Sequence, residues 1–533
     1  MADHRVVVVG AGIGGLVSAL LLACRSLQVT LLEAAPTPGG KMRQVLVDGA
    51  AIDAGPTVFT MRWVFEEILA EAGTSLDALL RLSPLSVLAR HAWRGSDSRL
   101  DLFADLQRSA DAIAQFSSPA EARRFLGFCA QARRAYDTLE GPYIRSERPS
   151  LLRMGLDLGP RGLGVLAGLG PFASLWRALA RHFHDPRLQQ LFGRYATYCG
   201  ASPWAAPATL MLVAQVELDG VWSVDGGMHA VAQALAQLAQ RKGVDIRYGQ
   251  ACSRIVLQQG RVSGVQLEDG QTLVADSVVF NGDAQALATG LLGDGVQRAV
   301  HAAPRVPGQG RSLSAVTWAL HARAQGFPLL RHNVFFDSDY NSEFDDIFRQ
   351  QRLPRQGTVY VCAQDRNDSA QPAGGAGSPE RLLCLVNAPA DGDRLAGGAA
   401  RSFDLSETDP CEMRSLALLR QCGLTLEWQP HQVLRSTPQD FHRLFPATGG
   451  ALYGQATHGW MSSFSRPSAA SAIPGLFLAG GSVHPGPGVP MAAMSGRLAA
   501  ATLLAHLDST SRSRRVHISG GISTRSATTA STA

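Results

Sequence analysis

The 533-residue chain has little that would hold a metal ion or a nucleic acid. Its eight cysteines, at positions 24, 129, 199, 252, 362, 384, 411 and 422, never stand in C-x-x-C or Cys/His ligand spacing. They read as reduced thiols in a cytosolic setting, mostly small core residues, and no catalytic metal is expected. Charge is also sparse: 17% of residues are charged and the net charge is +5. The excess forms no basic stripe, which removes nucleic acid as a partner. Beyond the N-terminal region no segment suits a membrane span. The best, GLGVLAGLGPFASLW at 162–176, is short, contains Pro171 and sits between Arg161 and Arg177. That length suits a buried or interfacial segment. From Ser509 onward the chain is rich in Ser, Thr, Arg and Gly without an apolar periodicity, so 509–533 is expected to be a disordered tail. Ala370–Ser378 reads as a Gly/Pro/Ala loop.

What is present begins at residue 5, with RVVVVGAGIGGLVSALLLACRSLQVTLLE. The run Val6–Val9 predicts a strand buried on both faces of a parallel sheet. Gly10, Gly12 and Gly15 follow in G-x-G-x-x-G spacing, and Leu16–Cys24 continues as an apolar helix. A second strand, Val29–Leu32, ends in Glu33. This is a complete βαβ unit with an acid where a ribose would lie. Gly10 permits the tight turn, Gly12 lets backbone approach a pyrophosphate, and Gly15 allows helix to pack on strand. The helix N-terminus offers unpaired N–H groups and a positive dipole end to phosphate. Glu33 accepts both ribose hydroxyls and would repel a 2′-phosphate, which favours FAD or NAD over NADP. Residues 6–23 carry no charge and are long enough to span a bilayer; glycines at the motif positions argue for the dinucleotide instead.

Two further clusters support a flavin. The first joins Gly39-Gly40-Lys41 to Asp53-Ala54-Gly55-Pro56-Thr57; the doublet lets a loop lie against a ligand, and Lys41 or Arg43 can neutralise pyrophosphate charge. The second is a short apolar strand ending at Ala479-Gly480-Gly481. It leads through His484-Pro485-Gly486-Pro487-Gly488-Val489-Pro490 into a helix over Met491–Leu507. A helix end there can stabilise negative charge on a reduced flavin ring. Between the clusters, turn pairs Gln259-Gly260 and Asp269-Gly270 predict hairpins in 243–281. Asp225-Gly226-Gly227-Met228 reads either as a turn near the ligand or as a plain helix N-terminal loop. The cofactor domain is therefore discontinuous, over 1–95, 222–300 and 445–508. Residues 96–221 and 301–444 are the natural substrate-binding insertions.

Together these stretches resemble the bacterial carotenoid (phytoene-type) desaturases, FAD proteins of the wider amine-oxidase-like group, from residue 5 to about 507. The strings GPTVFTMRWVF (55–65), LFGRYATYCG (191–200), ATLMLVA (208–214) and FPATGGALYG (445–454) are most similar to the 1-hydroxycarotenoid 3,4-desaturases. One departure is Lys41, where general phytoene desaturases usually carry arginine; lysine keeps the charge but loses the bidentate fork. The resemblance implies an α/β fold, with a Rossmann-like FAD-binding domain and an inserted α+β substrate domain. It implies an FAD-contacting set of Gly10, Gly12, Ile13, Gly14, Gly15, Glu33, Gly39, Gly40, Lys41, Gly55, Pro56, Thr57, Cys252, Gly480, Gly481, Gly488, Val489, Pro490 and Met491. It also implies loss of two hydrogens from C3 and C4 of an acyclic 1-hydroxycarotenoid, whose reacting carbon must lie about 3–3.5 Å from flavin N5. Spacing assigns no acid–base residue; His332, Tyr340 and His484 are the catalytic candidates, each set against a core-packing or loop role.

A water-insoluble carotenoid must arrive from a membrane. Leu151–Phe183, with Arg153, Arg161, Arg177 and Arg181 along it, is a candidate lipid-facing patch. The expected location is cytoplasmic, peripheral to the inner or photosynthetic membrane, with quinone or oxygen as electron acceptor. Phytoene desaturation is the alternative within the family. More distant alternatives on the same scaffold are an amine oxidase and a flavin-free lipid chaperone such as the Rab GDP-dissociation inhibitors.

Overall fold

A computed structural model describes residues 4–147, 173–300, 310–367, 377–394 and 405–515, with isolated positions between 159 and 170 and Gly375. The start of the Leu151–Phe183 patch and several of its later positions, most of the 370–378 loop, and 516–533 lie outside the described residues.

The valine run forms the middle strand of a five-stranded parallel sheet. Arg5–Val9 pairs on one side with Gln28–Glu33, which pairs with Asp245–Tyr248. On its other side it pairs with Ser277–Phe280, which pairs with Leu476–Leu478. Alternation along the middle strand feeds two different cores. Val6 and Val8 join the helices Ile13–Ala23, Met228–Arg241 and Val489–Arg515. Val7 faces a three-stranded antiparallel sheet of Cys252–Gln258, Arg261–Leu267 and Thr272–Val274. The strand is thus buried on both faces, as its β-branched run requires. Both predicted hairpins form, with Gln259, Gly260 and Gly270 at positive φ in their turns.

The first helix is uncharged because protein, not lipid, surrounds it: Ile13 through Leu22 are all buried. Burying each large aliphatic side chain there stabilises the fold by roughly 1.5–3 kcal/mol. Among the described residues no helix is long and apolar enough to cross a membrane.

The second body is an eight-stranded sheet built around Ser314–Gln325, Glu380–Ala388, Val359–Ala363 and His332–Phe336, all paired antiparallel. Val87–Trp93 joins it parallel to His332–Phe336, so the chain enters this sheet before residue 95. A helical layer holding Leu106–Phe116, Pro119–Leu139, Leu175–His182 and Pro186–Gly193 packs beside it. Each of these four helices starts at an Asp or Ser whose side chain accepts a backbone N–H. The closing helix begins at Val489 and runs to Arg515, longer at both ends than the predicted 491–507 and into the stretch expected to be tail.

Candidate active site

One continuous cavity of about 1230 Å³ joins the nucleotide loops of the parallel sheet to the face of the large sheet. Every residue of the expected FAD-contacting set lines it except Gly15. Gly15 sits behind the wall, where a Cβ would stand 2.0 Å from the Gly10 carbonyl oxygen. That is the close helix-to-strand packing its motif position predicts. Gly10 itself has φ +98, which a residue with a Cβ resists. Gly55 lies against the Lys41 backbone, a Cβ there falling 1.9 Å from its oxygen. The two loops flanking the cofactor position are thereby locked together.

Glu33 ends its strand at the cavity. One carboxylate oxygen accepts from the Ala11 N–H at 2.7 Å and the other from Ala35 at 2.8 Å. These bonds fix the carboxylate and leave lone pairs for ligand hydroxyls. The first helix has no side-chain cap at Gly12, so its leading N–H groups are open to an anion.

Lys41 and Arg466 carry the electrostatic argument. Lys41 Nζ donates to the Leu452 carbonyl at 2.7 Å. Arg466 donates to the carbonyls of Tyr453, Gly481 and Gln455 and to Thr457 Oγ1. Neither forms an ion pair among the described residues. Burial pushes the Lys41 ammonium below its ordinary value; Asp283 opposes this and Arg466 adds to it. Burial likewise pushes Arg466 down. Asp283 acts on both cations but makes no ion pair with either among the described residues, and desolvated charge without close pairing is costly. The donor set therefore fits a ligand with negative charge, such as a pyrophosphate.

Deeper in, the wall becomes largely apolar, with Leu88, Leu139, Leu212, Val213, Val216 and Leu385 on it. A polar cluster interrupts it. Tyr195 and Tyr198 donate to the two Glu217 oxygens, each at 2.8 Å, and Arg194 donates to the Tyr198 hydroxyl oxygen at 2.9 Å. Burial acts against the Arg194 charge, yet Tyr198 and Glu217 carry the guanidinium above its ordinary value.

The structure brings two of the three catalytic candidates to this cavity. His332 and Tyr340 line it; the His332 Nε2 and the Tyr340 hydroxyl are both buried without a hydrogen-bond partner. Burial lowers His332 to about 3, so its imidazole is neutral at ordinary pH. His484 does not reach the wall. Its Nε2 bonds to the Ser146 carbonyl at 3.0 Å and its ring meets Tyr143 edge-on, while the neighbouring Pro485 lines the cavity. The Asp225–Met228 turn is also off the wall. It opens the helix Met228–Arg241, whose first N–H donates to Asp53 Oδ2 at 2.6 Å.

Sequence reasoning missed Asn281, Arg466 and Tyr360. Asn281 follows Phe280 at the carboxyl end of a parallel strand, where ligands of such sheets bind; its amide donates to the Gly10 carbonyl and lies under Gly12, Gly14 and Gly15. That position was a readable signal. Arg466 stands in a loop with no local pattern, and nothing nearby in the chain marks it.

The family of flavin-containing amine oxidoreductases matches residues 13–319. The chain belongs to that family. Its cofactor is FAD, and it is an oxidoreductase. It is 70% identical to a hydroxyneurosporene desaturase of Rubrivivax gelatinosus over 99% of this chain and 98% of that protein. It is 29% identical to a phytoene desaturase of Fusarium fujikuroi, over 95% of this chain and 90% of the other. Among solved structures an oxidoreductase from Methanosarcina mazei superposes with a TM-score of 0.58 at 15% identity, covering 92% of this chain and 99% of that one. The last likeness establishes the fold, and the expected α/β flavoprotein architecture is borne out.

Proposed function

We propose that the chain is an FAD-dependent desaturase that introduces the C3,4 double bond into acyclic 1-hydroxycarotenoids of the 1-hydroxyneurosporene type. The observation that carries this reading is the continuity of the cavity from the nucleotide loops to largely apolar walls. An amine oxidase would need an aromatic cage for the amine; a polyene needs apolar walls. Identity of 70% to a hydroxyneurosporene desaturase, against 29% to a phytoene desaturase, favours the hydroxylated carotenoid.

Gly10, Gly12, Ile13 and Gly14 would present backbone to the FAD pyrophosphate, Glu33 would hold its ribose, and Gly480–Gly481 with Gly488–Met491 would close the other side. FAD, when bound, supplies the two-electron oxidant. Lys41 and Arg466 offset its negative charge from fixed, buried positions, so little reorganisation accompanies the reaction. C3 and C4 of the carotenoid together give up a hydride, which bound FAD would take, and a proton, which the resulting polyene cation releases to solvent, and a conjugated double bond forms. Apolar walls exclude water from the reacting carbons. The rings of Tyr340, Tyr360 and Tyr453, all on the wall, offer π faces to positive charge spread along the polyene. With His332 neutral and weakly basic, the site needs no strong general base. His484 steadies the closing loop through Ser146.

The carotenoid arrives from a membrane surface on which the protein docks peripherally from the cytoplasm. Quinone or oxygen then takes the electrons. Anaerobic mixing of the FAD-loaded protein with 1-hydroxyneurosporene tests the reading. Loss of the oxidised-flavin absorbance is expected; a spectrum unchanged over hours contradicts it.

A further inference from the structure

A polar atom buried on a hydrocarbon-binding wall must find a partner in the bound state or oppose binding. His332 Nε2 is such an atom: the residue is 4% exposed, lines the cavity, and Nε2 has no partner among the described residues. Its other nitrogen is held. His332 Nδ1 lies 2.7 Å from the Tyr360 hydroxyl, which lies 2.7 Å from Thr57 Oγ1. The strand register sets His332 opposite Cys362, and Cys362 opposite Leu383. Leu383 and Leu385 continue the wall beside them.

We propose that His332 forms a hydroxyl-reading subsite, its Nε2 hydrogen-bonding the tertiary 1-hydroxyl of the carotenoid while Thr57 and Tyr360 hold the ring. The inference rests on the desaturase reading and adds the basis of its substrate choice. Three arguments support it. The hydroxyl sits on C1, two bonds from C3, so the group that reads it must lie beside the flavin. The hydrogen-bonded chain from His332 ends on Thr57 in the loop Gly55–Thr57, which also lines the cofactor end of the cavity. A hydroxyl is both donor and acceptor, so it satisfies Nε2 in either tautomer of a neutral imidazole. A carotenoid ending in plain hydrocarbon would leave Nε2 dry and unpaired, and a site built to bond a hydroxyl rejects the analogue lacking it. Tyr340 also has an unpaired hydroxyl, but no hydrogen-bonded chain ties it to the flavin loops; it packs among Trp176, Trp204 and Phe344.

The test compares kcat/KM of the FAD-loaded full chain on 1-hydroxyneurosporene and on neurosporene. His332→Leu should collapse the hydroxylated-to-plain ratio by about 10- to 100-fold, the penalty of one lost buried hydrogen bond. His332→Asn, which restores a donor and an acceptor, should recover part of it. Tyr360→Phe removes only the positioning hydroxyl and should lower the ratio by about 3- to 10-fold, which keeps the test decisive if His332→Leu loses its flavin. The ratio should stay flat from about pH 6 to about pH 9, because the imidazole does not titrate there. A ratio unmoved by the His332 and Tyr360 variants, or collapsed by Tyr340→Phe instead, overturns the subsite. A wild-type protein that turns over neither carotenoid overturns the desaturase reading beneath it.

Discussion

At the scale of single residues, Lys41 and Arg466 are the cavity cations we propose to meet the anionic cofactor. Lys41 was legible in the sequence because it follows the Gly39-Gly40 doublet within a recurrent loop pattern. Arg466 was not, because burial and the absence of a carboxylate partner are properties of the folded chain. Of Lys41's three N–H donors one is spent on Leu452, which leaves two for a ligand. Lys41→Ala is expected to weaken FAD binding at least about tenfold, the cost of removing a charge-assisted contact in a desolvated site. Flavin fluorescence during titration of apoprotein measures this; unchanged affinity would remove Lys41 from the cradle. His332 and Tyr340 illustrate a different limit. Their sequence neighbourhoods suggested a role but not which atoms were free, and only the hydrogen-bond pattern separates His332 Nδ1, already paired, from Nε2.

Among the elements, the first and closing helices meet at a crossing that only glycine permits. A Cβ on Gly496 would stand 2.2 Å from the Gly14 carbonyl oxygen. Below them, the Gly480 N–H donates to Ser495 Oγ at 3.2 Å. This crossing aligns both helix N-termini, Gly12–Gly14 and Gly488–Met491, on one cavity. Gly496→Ala should push the helices apart, destabilise the fold by about 1–3 kcal/mol and reduce the flavin retained on purification. Thermal unfolding with flavin-to-protein absorbance checks both effects; a variant matching wild type in both would contradict the crossing's role. Both helices were legible from their glycines and apolar runs. The contact was not, because it pairs residues far apart in the chain and depends on sheet order. The same reason hid the placement of Val87–Trp93: its composition reads as a strand, but nothing local says which of two sheets it joins.

For the molecule as a whole, the unusual feature is how many histidines are buried neutral. Burial lowers His91 and His332 to about 3, and His458 and His484 to about 4, from 6.5. Folded pKa values below the unfolded one mean that the unfolded chain binds protons first. Stability is therefore complete above about pH 6.5 and falls as pH drops toward 4, by about 1.4 kcal/mol per pH unit for each such histidine. Asp53, Asp219 and Glu343, raised by burial, act in the opposite sense but are fewer. Tm should thus be lower at pH 5 than at pH 7.5, and equal values would contradict the buried neutral state. The overall plan was readable because the cofactor motifs lie at both ends of the chain and close one parallel sheet. The chamber was not, since its walls come from many separated segments whose leucines and valines look like any core. What the chamber does is tested most directly by incubating the FAD-loaded protein with 1-hydroxyneurosporene and analysing the carotenoid by mass and absorbance. The account predicts a product lighter by two hydrogens with a red-shifted spectrum, formed only with FAD and faster than from phytoene. Equal or faster conversion of phytoene, or no product with flavin bound, would contradict it.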